Sequence, residues 1–458
     1  MSRILEQAVA SYEAFSPTSK AHIEEARRCF PGGDTRMSAH YPPYPLFIER
    51  GAGCTVHDAD GHALVDFMNN FTSLIHGHAE PSVVEAVHEQ MQRGSAYAAP
   101  TRSQIELATD LIARLPSVDQ LRFTASGSEA TLMTLRCARA ATGRQKIMKM
   151  EGGYHGSYEQ GEVSLVPFPQ LRGDVDHPNS VAVDPSFPEN VLENTVVCPY
   201  NQPEHARALI AAHADELAAV IVEPMLGSMG MIPATREFLA VLREETARLG
   251  IVLVFDEVIT LRCGDGGLQT ELGITPDLTA MGKIIGGGLP IGAFGGREDL
   301  MALFHPDRRD AVMHASTFSG NPVSMAAGAA AMKRFHPQEK ERLNGLGERL
   351  RTGFSKAFAD VGIVGTASGA GSLANLHVGA AAVQDARGTI DAMAAAGTVG
   401  RAVHLGMLER GYMSASRLMY SVSTPMTEAT IDGCIDAFAD TLTTLKPLIQ
   451  AERPALLA

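Results

Sequence analysis

Stretches with apolar residues at helical spacing alternate along this chain with short, continuously apolar runs, and that alternation predicts its elements. From Arg102 to Leu115, the residues Ile105, Ala108, Leu111, Ile112 and Leu115 recur on one helical face, and Leu121–Thr124 then reads as a strand. The turn Ala125-Ser-Gly-Ser-Glu129 leads into an Ala- and Leu-rich helix that runs to Ala141 and is closed by Gly143. Lys146–Met150 is strand-like, Ala218–Val222 is a buried strand ending in Glu223-Pro224, and Glu237–Leu249 is a helix with Gly250 just past its end. Ile251–Phe255 is the strongest buried strand of the chain. Repeated βα units of this kind predict an α/β fold: a mainly parallel sheet with helices on both faces and ligands at the carboxyl ends of its strands.

Two regions depart from this pattern. Between Gln160 and Asn194 the chain is rich in Pro, Asp, Ser and Val without periodicity, which predicts a long surface excursion near the site. From about Phe335 onward, amphipathic helices return with short strands at Ser372–His377 and Leu418–Val422, suiting a smaller lobe packed with the N-terminal segment. The expected division is an N-terminal part of a small domain (1–72), a large domain (73–334) and a C-terminal part of the small domain (335–458), with no internal repeat.

Composition narrows the class. At 458 residues the chain is long enough for a large core and a second lobe, and 45% apolar with 20% charged residues is ordinary for a globular protein. The six cysteines (Cys29, Cys54, Cys137, Cys198, Cys263, Cys434) form no CxxC pair, which argues against zinc fingers, redox dithiols and a secreted disulfide frame. The N-terminus shows no apolar run followed by a small-residue cleavage site, and no stretch of roughly 18 apolar residues occurs, so a cytoplasmic protein without a membrane partner is expected. A net charge of −14 disfavours nucleic acid as a partner.

Candidate chemistry collects after strands. Asp256 ends the strongest strand, where a carboxylate at the edge of an apolar core needs a cationic partner; a protonated pyridine nitrogen is one such partner. A strand-end cap accounts for it equally, and Val254-Phe-Asp-Glu257 also fits a Walker B carboxylate, although no G-x-x-x-x-G-K-[ST] loop accompanies it. Lys283 lies between apolar residues and Gly286-Gly-Gly288, where desolvation would lower its pKa and make it a Schiff-base nucleophile and proton shuttle. Ser126-Gly127-Ser128 opens a helix with small residues suited to a phosphate, or to a plain N-cap. Tyr154, in Gly152-Gly-Tyr-His155-Gly156, offers a ring to cover a flat heterocycle. His76-Gly-His78 looks like a metal pair but has no third ligand at usable spacing, so a structural turn and no metal are expected.

Taken together, Ser126-Gly-Ser-Glu-Ala130, Glu151-Gly-Gly-Tyr-His-Gly156, Val222-Glu-Pro224, Phe255-Asp-Glu-Val258, Gly282-Lys-Ile-Ile-Gly-Gly-Gly-Leu-Pro290 and Thr317-Phe-Ser-Gly-Asn-Pro322 resemble the class III aminotransferases. Within them the branch is that of glutamate-1-semialdehyde aminomutase and the β-amino-acid aminotransferases. The resemblance implies a fold type I architecture, pyridoxal 5'-phosphate (PLP) as cofactor, and a homodimer with its active site at the subunit interface. It further implies that Lys283 carries the cofactor, Asp256 pairs with the pyridine nitrogen, and Val258 and Tyr154 pack on its two faces. Gly127 and Ser128, together with Thr317 of the partner subunit, would hold the phosphate, with Ser126, Glu223 and His155 among the residues lining the cofactor site.

Arg36, in Pro31-Gly-Gly-Asp-Thr-Arg36, falls where this branch carries an arginine for the substrate carboxylate, an exposed loop arginine being the alternative, and Arg417 is either a second clamp, for the acceptor, or equally a surface residue. Met37–Leu46 and Asp256–Arg262 are closer to the β-amino-acid enzymes, whereas Ser319-Gly-Asn321 keeps an aminomutase-like form. The expected reaction moves an amino group from a β-amino acid to a 2-oxo acid such as 2-oxoglutarate or pyruvate. A PLP-dependent aminomutase or racemase is the alternative.

Overall fold

The computed structural model describes residues 2–458, and its large sheet is built around the apolar run Val252–Asp256, all five residues of which are buried. The seven strands are β1 (Gln120–Thr124), β2 (Lys146–Met150), β3 (Thr195–Cys198), β4 (Leu217–Val222), β5 (Val252–Asp256), β6 (Leu278–Gly282) and β7 (Gly292–Gly296), in spatial order β1-β7-β6-β5-β4-β2-β3. Only β7 runs antiparallel to its neighbours. In the centre of the sheet Val254 lies opposite both Ile221 and Leu278. Strands covered on both faces have no solvent side, which is why β4 and β5 read as unbroken apolar runs.

Helix α1 (Gly127–Thr142) and helix α2 (Arg236–Leu249) start and stop for legible reasons. The Ser126 hydroxyl accepts from Glu129 N (3.2 Å) and the Thr235 hydroxyl from Phe238 N (3.2 Å), while Gly143 and Gly250 end the two helices in the left-handed conformation at φ 71° and 62°. Each N-cap is worth about 1 kcal/mol. The buried face of α1, with Ala130, Met133 and Cys137, packs into one cluster with Ile147, Ile221, Val254 and Phe294.

Strand β7 was not predicted from the sequence, because Gly-Ala-Phe-Gly-Gly has little β propensity. Its glycines answer to close packing instead. A Cβ on Gly292 would stand 2.0 Å from Ser126 O, and one on Gly296 2.2 Å from Asp277 O. The excursion holds only short helices, Glu159–Glu162 and Glu189–Glu193, and an isolated bridge between Gly173 and Pro178.

These elements belong to the compact unit formed by Pro81–Glu341 and Gln384–Ile390; the other unit comprises Met1–Glu80, Arg342–Val383 and Asp391–Ala458. The second unit has a four-stranded sheet (Ile48–Ala52, Thr55–Asp58, Ala63–Asp66, Tyr412–Met413) and a three-stranded one (Gly365–Ser368, Leu373–Val378, Met419–Ser421). Tyr12, Tyr44, Leu64, Leu405 and Leu408 are among its core residues. Among the described residues no helix is long and apolar enough to cross a membrane.

Beside that core lies His404, fully buried, edge-on to Tyr41 at 4.7 Å, with neither ring nitrogen hydrogen-bonded. Burial holds its pKa down to about 4. Between the ordinary histidine value and that figure the unfolded chain binds a proton that the folded chain refuses, so stability falls as the pH drops through this window. The full loss is about 3 kcal/mol. Thermal unfolding followed from pH 7.5 to 4.5 should show this acid-side decline, and His404→Phe should flatten it; an unchanged slope in the variant would refute the assignment.

Candidate active site

Several buried charged residues of the large unit, Asp256, Glu223, Lys149 and Glu151 among them, lie at or near the carboxyl ends of β5, β4 and β2. Asp256, at the end of β5, is 5% exposed. Its Oδ2 lies 2.9 Å from His155 Nδ1 and its Oδ1 accepts from Val258 N (3.1 Å). Burial pushes the His155 pKa down while Asp256 opposes the shift. The neutral ring that donates Nδ1–H to Asp256 leaves Nε2 as a bare acceptor, and Nε2 is buried without a hydrogen-bond partner. Thus one imidazole and one backbone N–H fix the carboxylate's orientation.

Glu223, just past β4, stabilises the adjoining loops: Oε1 accepts from Tyr154 N (2.9 Å) and Oε2 from Gly227 N (3.0 Å). Its carboxyl is pushed up to about 8, first by burial and then by the negative charge of Asp256. Lys149, on β2, is fully buried and donates to Gly153 O (2.7 Å) and to Val163 O. Burial pushes its pKa down to about 7, against the pull of Glu223, Glu151 and Glu162. Lys149 therefore joins the root of the excursion to the loop that carries Tyr154 and His155. Arg387 makes a second tie, with a two-pronged ion pair to Glu151 (2.6 and 3.0 Å) and a bond to Gly173 O (3.1 Å) in the excursion.

The start of α1 forms a cleared cradle. A Cβ on Gly127 would stand 3.1 Å from Val258 and one on Gly282 3.2 Å from the same side chain, while Gly156, at φ 115°, leaves no room beside Ser128. The Ser126 hydroxyl is the helix cap, and Ser128 Oγ accepts from Ser157 N (3.2 Å). Tyr154 is half-buried, its hydroxyl 3.0 Å from Ser157 Oγ. Lys283 directly follows β6, the parallel neighbour of β5, and is half-buried with φ 50°, a left-handed conformation that is unusual for a lysine. Gly287 continues the turn at φ 59°, where a Cβ would lie 2.7 Å from Ala327 O.

An aminotransferase family model, class III, matches residues 36–442. The chain belongs to the class III aminotransferases. It is 39% identical to the β-phenylalanine transaminase of Variovorax paradoxus over 94% of this chain and 95% of that one. It is 38% identical to the glutamate-1-semialdehyde 2,1-aminomutase of Methanopyrus kandleri over 94% of this chain and 98% of that one. The structure of an omega-transaminase from Sphaerobacter thermophilus superposes with a TM-score of 0.89 at 43% identity, covering 93% of this chain and 98% of that one. The fold is thus fold type I, and the chain is a PLP-dependent aminotransferase.

The residues present fit that cofactor. The glycine-cleared start of α1 suits a phosphate, Val258 and Tyr154 are an apolar side chain and a ring for a flat heterocycle, Asp256 is an oriented carboxylate, and Lys283 is an amine. The nucleotide-binding alternative loses its second carboxylate: Glu257 accepts from Leu268 N (3.0 Å) and Gln269 N (2.8 Å) and so caps a short helix.

Other residues singled out from the sequence lie elsewhere. Thr317 is exposed and lines an open cavity of about 800 Å3 with Arg122, His314 and Gln104. Arg36 and Arg417 belong to the other unit. There His78 Nε2 lies 2.7 Å from Asp66 Oδ2 and His76 Nδ1 3.2 Å from Thr424 Oγ1. Lys149 and Arg387 were not foreseen. The signal for Lys149 was a lysine inside an otherwise apolar strand; Arg387 had none, since its partner Glu151 is 236 residues away.

Proposed function

We propose that this enzyme transfers the amino group of a β-amino acid, an aryl-bearing one included, to 2-oxoglutarate or pyruvate, with Lys283 and Asp256 as its catalytic residues. The observation that carries the residue assignment is the juxtaposition of two adjacent parallel strands, one ending in a buried, histidine-oriented carboxylate and the other running into a lysine. The likeness to the β-phenylalanine transaminase supports the donor class.

Bound PLP supplies the carbonyl that takes up the amino group and the electron sink that stabilises the substrate carbanion. Within this chain, Lys283 would hold the cofactor and, as base and then as acid, would move the proton from the substrate carbon. Asp256, aimed by His155, would pair with the ring nitrogen and favour its protonated form. Val258 and Tyr154 would bracket the ring. The N–H groups of Gly127 and Ser128 and the hydroxyls of Ser126 and Ser128 would hold the phosphate, aided by the positive end of α1. Glu223 holds the Tyr154 loop, and Arg36 and Arg417 take carboxylates.

A homodimer with Thr317 reaching the partner's phosphate site completes the proposal. The exposed apolar residues Met91, Tyr97, Ile105, Met313 and Phe318 support it, because such groups mark association surfaces. The segments that bear them are tied together by Gln104 to Gly320 O (2.9 Å) and Asn321 to Ser95 O (2.9 Å). A cytoplasmic location is part of the same reading.

A panel of α- and β-amino donors with each acceptor tests the reaction, on a preparation expected to sediment at twice the chain mass. Turnover should require an acceptor and be highest with aryl β-amino acids. The mutase reading has its own support in the likeness to the aminomutase. An enzyme that ignores every β-amino acid but isomerises glutamate-1-semialdehyde without an acceptor would replace the first reading with the second.

A further inference from the structure

Four successive residues without a glycine among them, Asn69, Asn70, Phe71 and Thr72, have positive φ (48°, 46°, 53° and 73°). A left-handed run of this length is disfavoured for L-residues, and for Phe and Thr above all, so it persists only where its surroundings dictate it. They do. Asp66 Oδ1 accepts from Met68 N (2.8 Å) and Asn69 N (2.9 Å), and Asp66 Oδ2 is held by His78. The Asn69 amide donates to Ser421 O (2.8 Å) and Ser421 Oγ (3.1 Å), and Ser421 N donates to Phe67 O (2.6 Å). His78 thus belongs to the support of this turn.

The outward side of the turn meets both arginines. Arg36 Nη1 donates to Asn70 Oδ1 (2.9 Å), and the Asn70 amide is turned to do so because its Nδ2 donates to Ser73 Oγ (3.2 Å). The Arg417 guanidinium stands 5.6 Å from the centroid of the Phe71 ring, and Leu418 after it is again left-handed at φ 64°. A ring on the face of a guanidinium orients it while leaving the N–H edge as the part that meets a carboxylate. Arg417 Nη2 also reaches Met419 Sδ (3.8 Å), a weak acceptor that a carboxylate readily displaces.

We propose that the turn Asn69–Thr72 is the specificity platform of the enzyme. Asn70 positions Arg36 for the carboxylate shared by donors and acceptors, and Phe71 positions Arg417 for the distal carboxylate of a dicarboxylic 2-oxo acid. Adjacent residues on one rigid turn thereby set two anion sites separately. The inference rests on the reading that these arginines bind carboxylates.

Kinetics of Asn70→Gly, Phe71→Leu, Arg36→Ala and Arg417→Ala, with β-phenylalanine as donor and either 2-oxoglutarate or pyruvate as acceptor, test it. Asn70→Gly relaxes the positive φ while deleting Oδ1, so Tm should hold or rise. Its KM for the donor should climb roughly tenfold, the size of one hydrogen bond to a charged group, with little change in kcat. Phe71→Leu should raise KM for 2-oxoglutarate several-fold and leave KM for pyruvate unchanged, a split that a merely structural role would not produce. If the two arginine variants shift these constants but Asn70→Gly and Phe71→Leu do not, the positioning role is refuted and the carboxylate reading stands. If the arginine variants shift nothing, both fall together.

Discussion

Lys283→Ala should abolish amino transfer, lowering kcat by at least about 10,000-fold, the upper range of what one positioned proton-transfer group contributes. Lys283 is already left-handed at φ 50°, so alanine at this position brings no new backbone strain and Tm should be nearly unchanged. The visible absorption of the lysine-bound cofactor should vanish with the amine. Lys283→Arg separates charge from proton transfer, because a guanidinium keeps the positive charge but does not give up its proton at neutral pH. It should be as inactive as the alanine variant. A purified, folded Lys283→Ala enzyme that kept more than about a hundredth of wild-type kcat would have lost less than the smallest factor expected of a proton-transfer group, which would overturn the assignment.

Asp256→Asn should lower kcat by about 100- to 1000-fold, the scale of a single preorganised electrostatic contact in a dry site. Asparagine is nearly isosteric and can still accept from either Val258 N or His155, so the loss reports the missing charge. A second readout follows from Glu223. The Asp256 charge is the second-largest cause, after burial, that pushes the Glu223 carboxyl up to about 8. Removing that charge should move the Glu223 titration toward lower pH, which is measurable through any pH-dependent change in the cofactor spectrum. Wild-type kcat in the asparagine variant would show that residue 256 is only a strand-end cap.

The geometry around these two residues is a problem of buried charge. Asp256, Glu223 and Lys149 each lose hydration, and each has a physical answer: an imidazole donor for Asp256, protonation and two backbone N–H groups for Glu223, and two carbonyl acceptors for Lys149. The loop from Glu151 to Gly156 is consequently held from several sides. Tyr154 N is bonded to Glu223, Gly153 O to Lys149, and Glu151 to Arg387.

Local pattern alone placed strands β1, β2, β4 and β5 and the chemical groups at their ends, but not β3 or β6. An apolar strand buried on both faces has an unmistakable composition, and the helix caps Ser126, Gly143 and Gly250 act within a few residues of themselves. Tertiary structure decided the rest, because the forces involved act between residues far apart in the chain. Strand β7 exists where neighbouring backbones demand glycine, against its own propensity. Lys149 is buried only because a sheet closes over it. The turn Asn69–Thr72 carries no glycine to announce its left-handed path: Asp66, His78 and Ser421 impose it, and Arg36 and Arg417, 381 positions apart in the sequence, meet on adjacent residues of that turn.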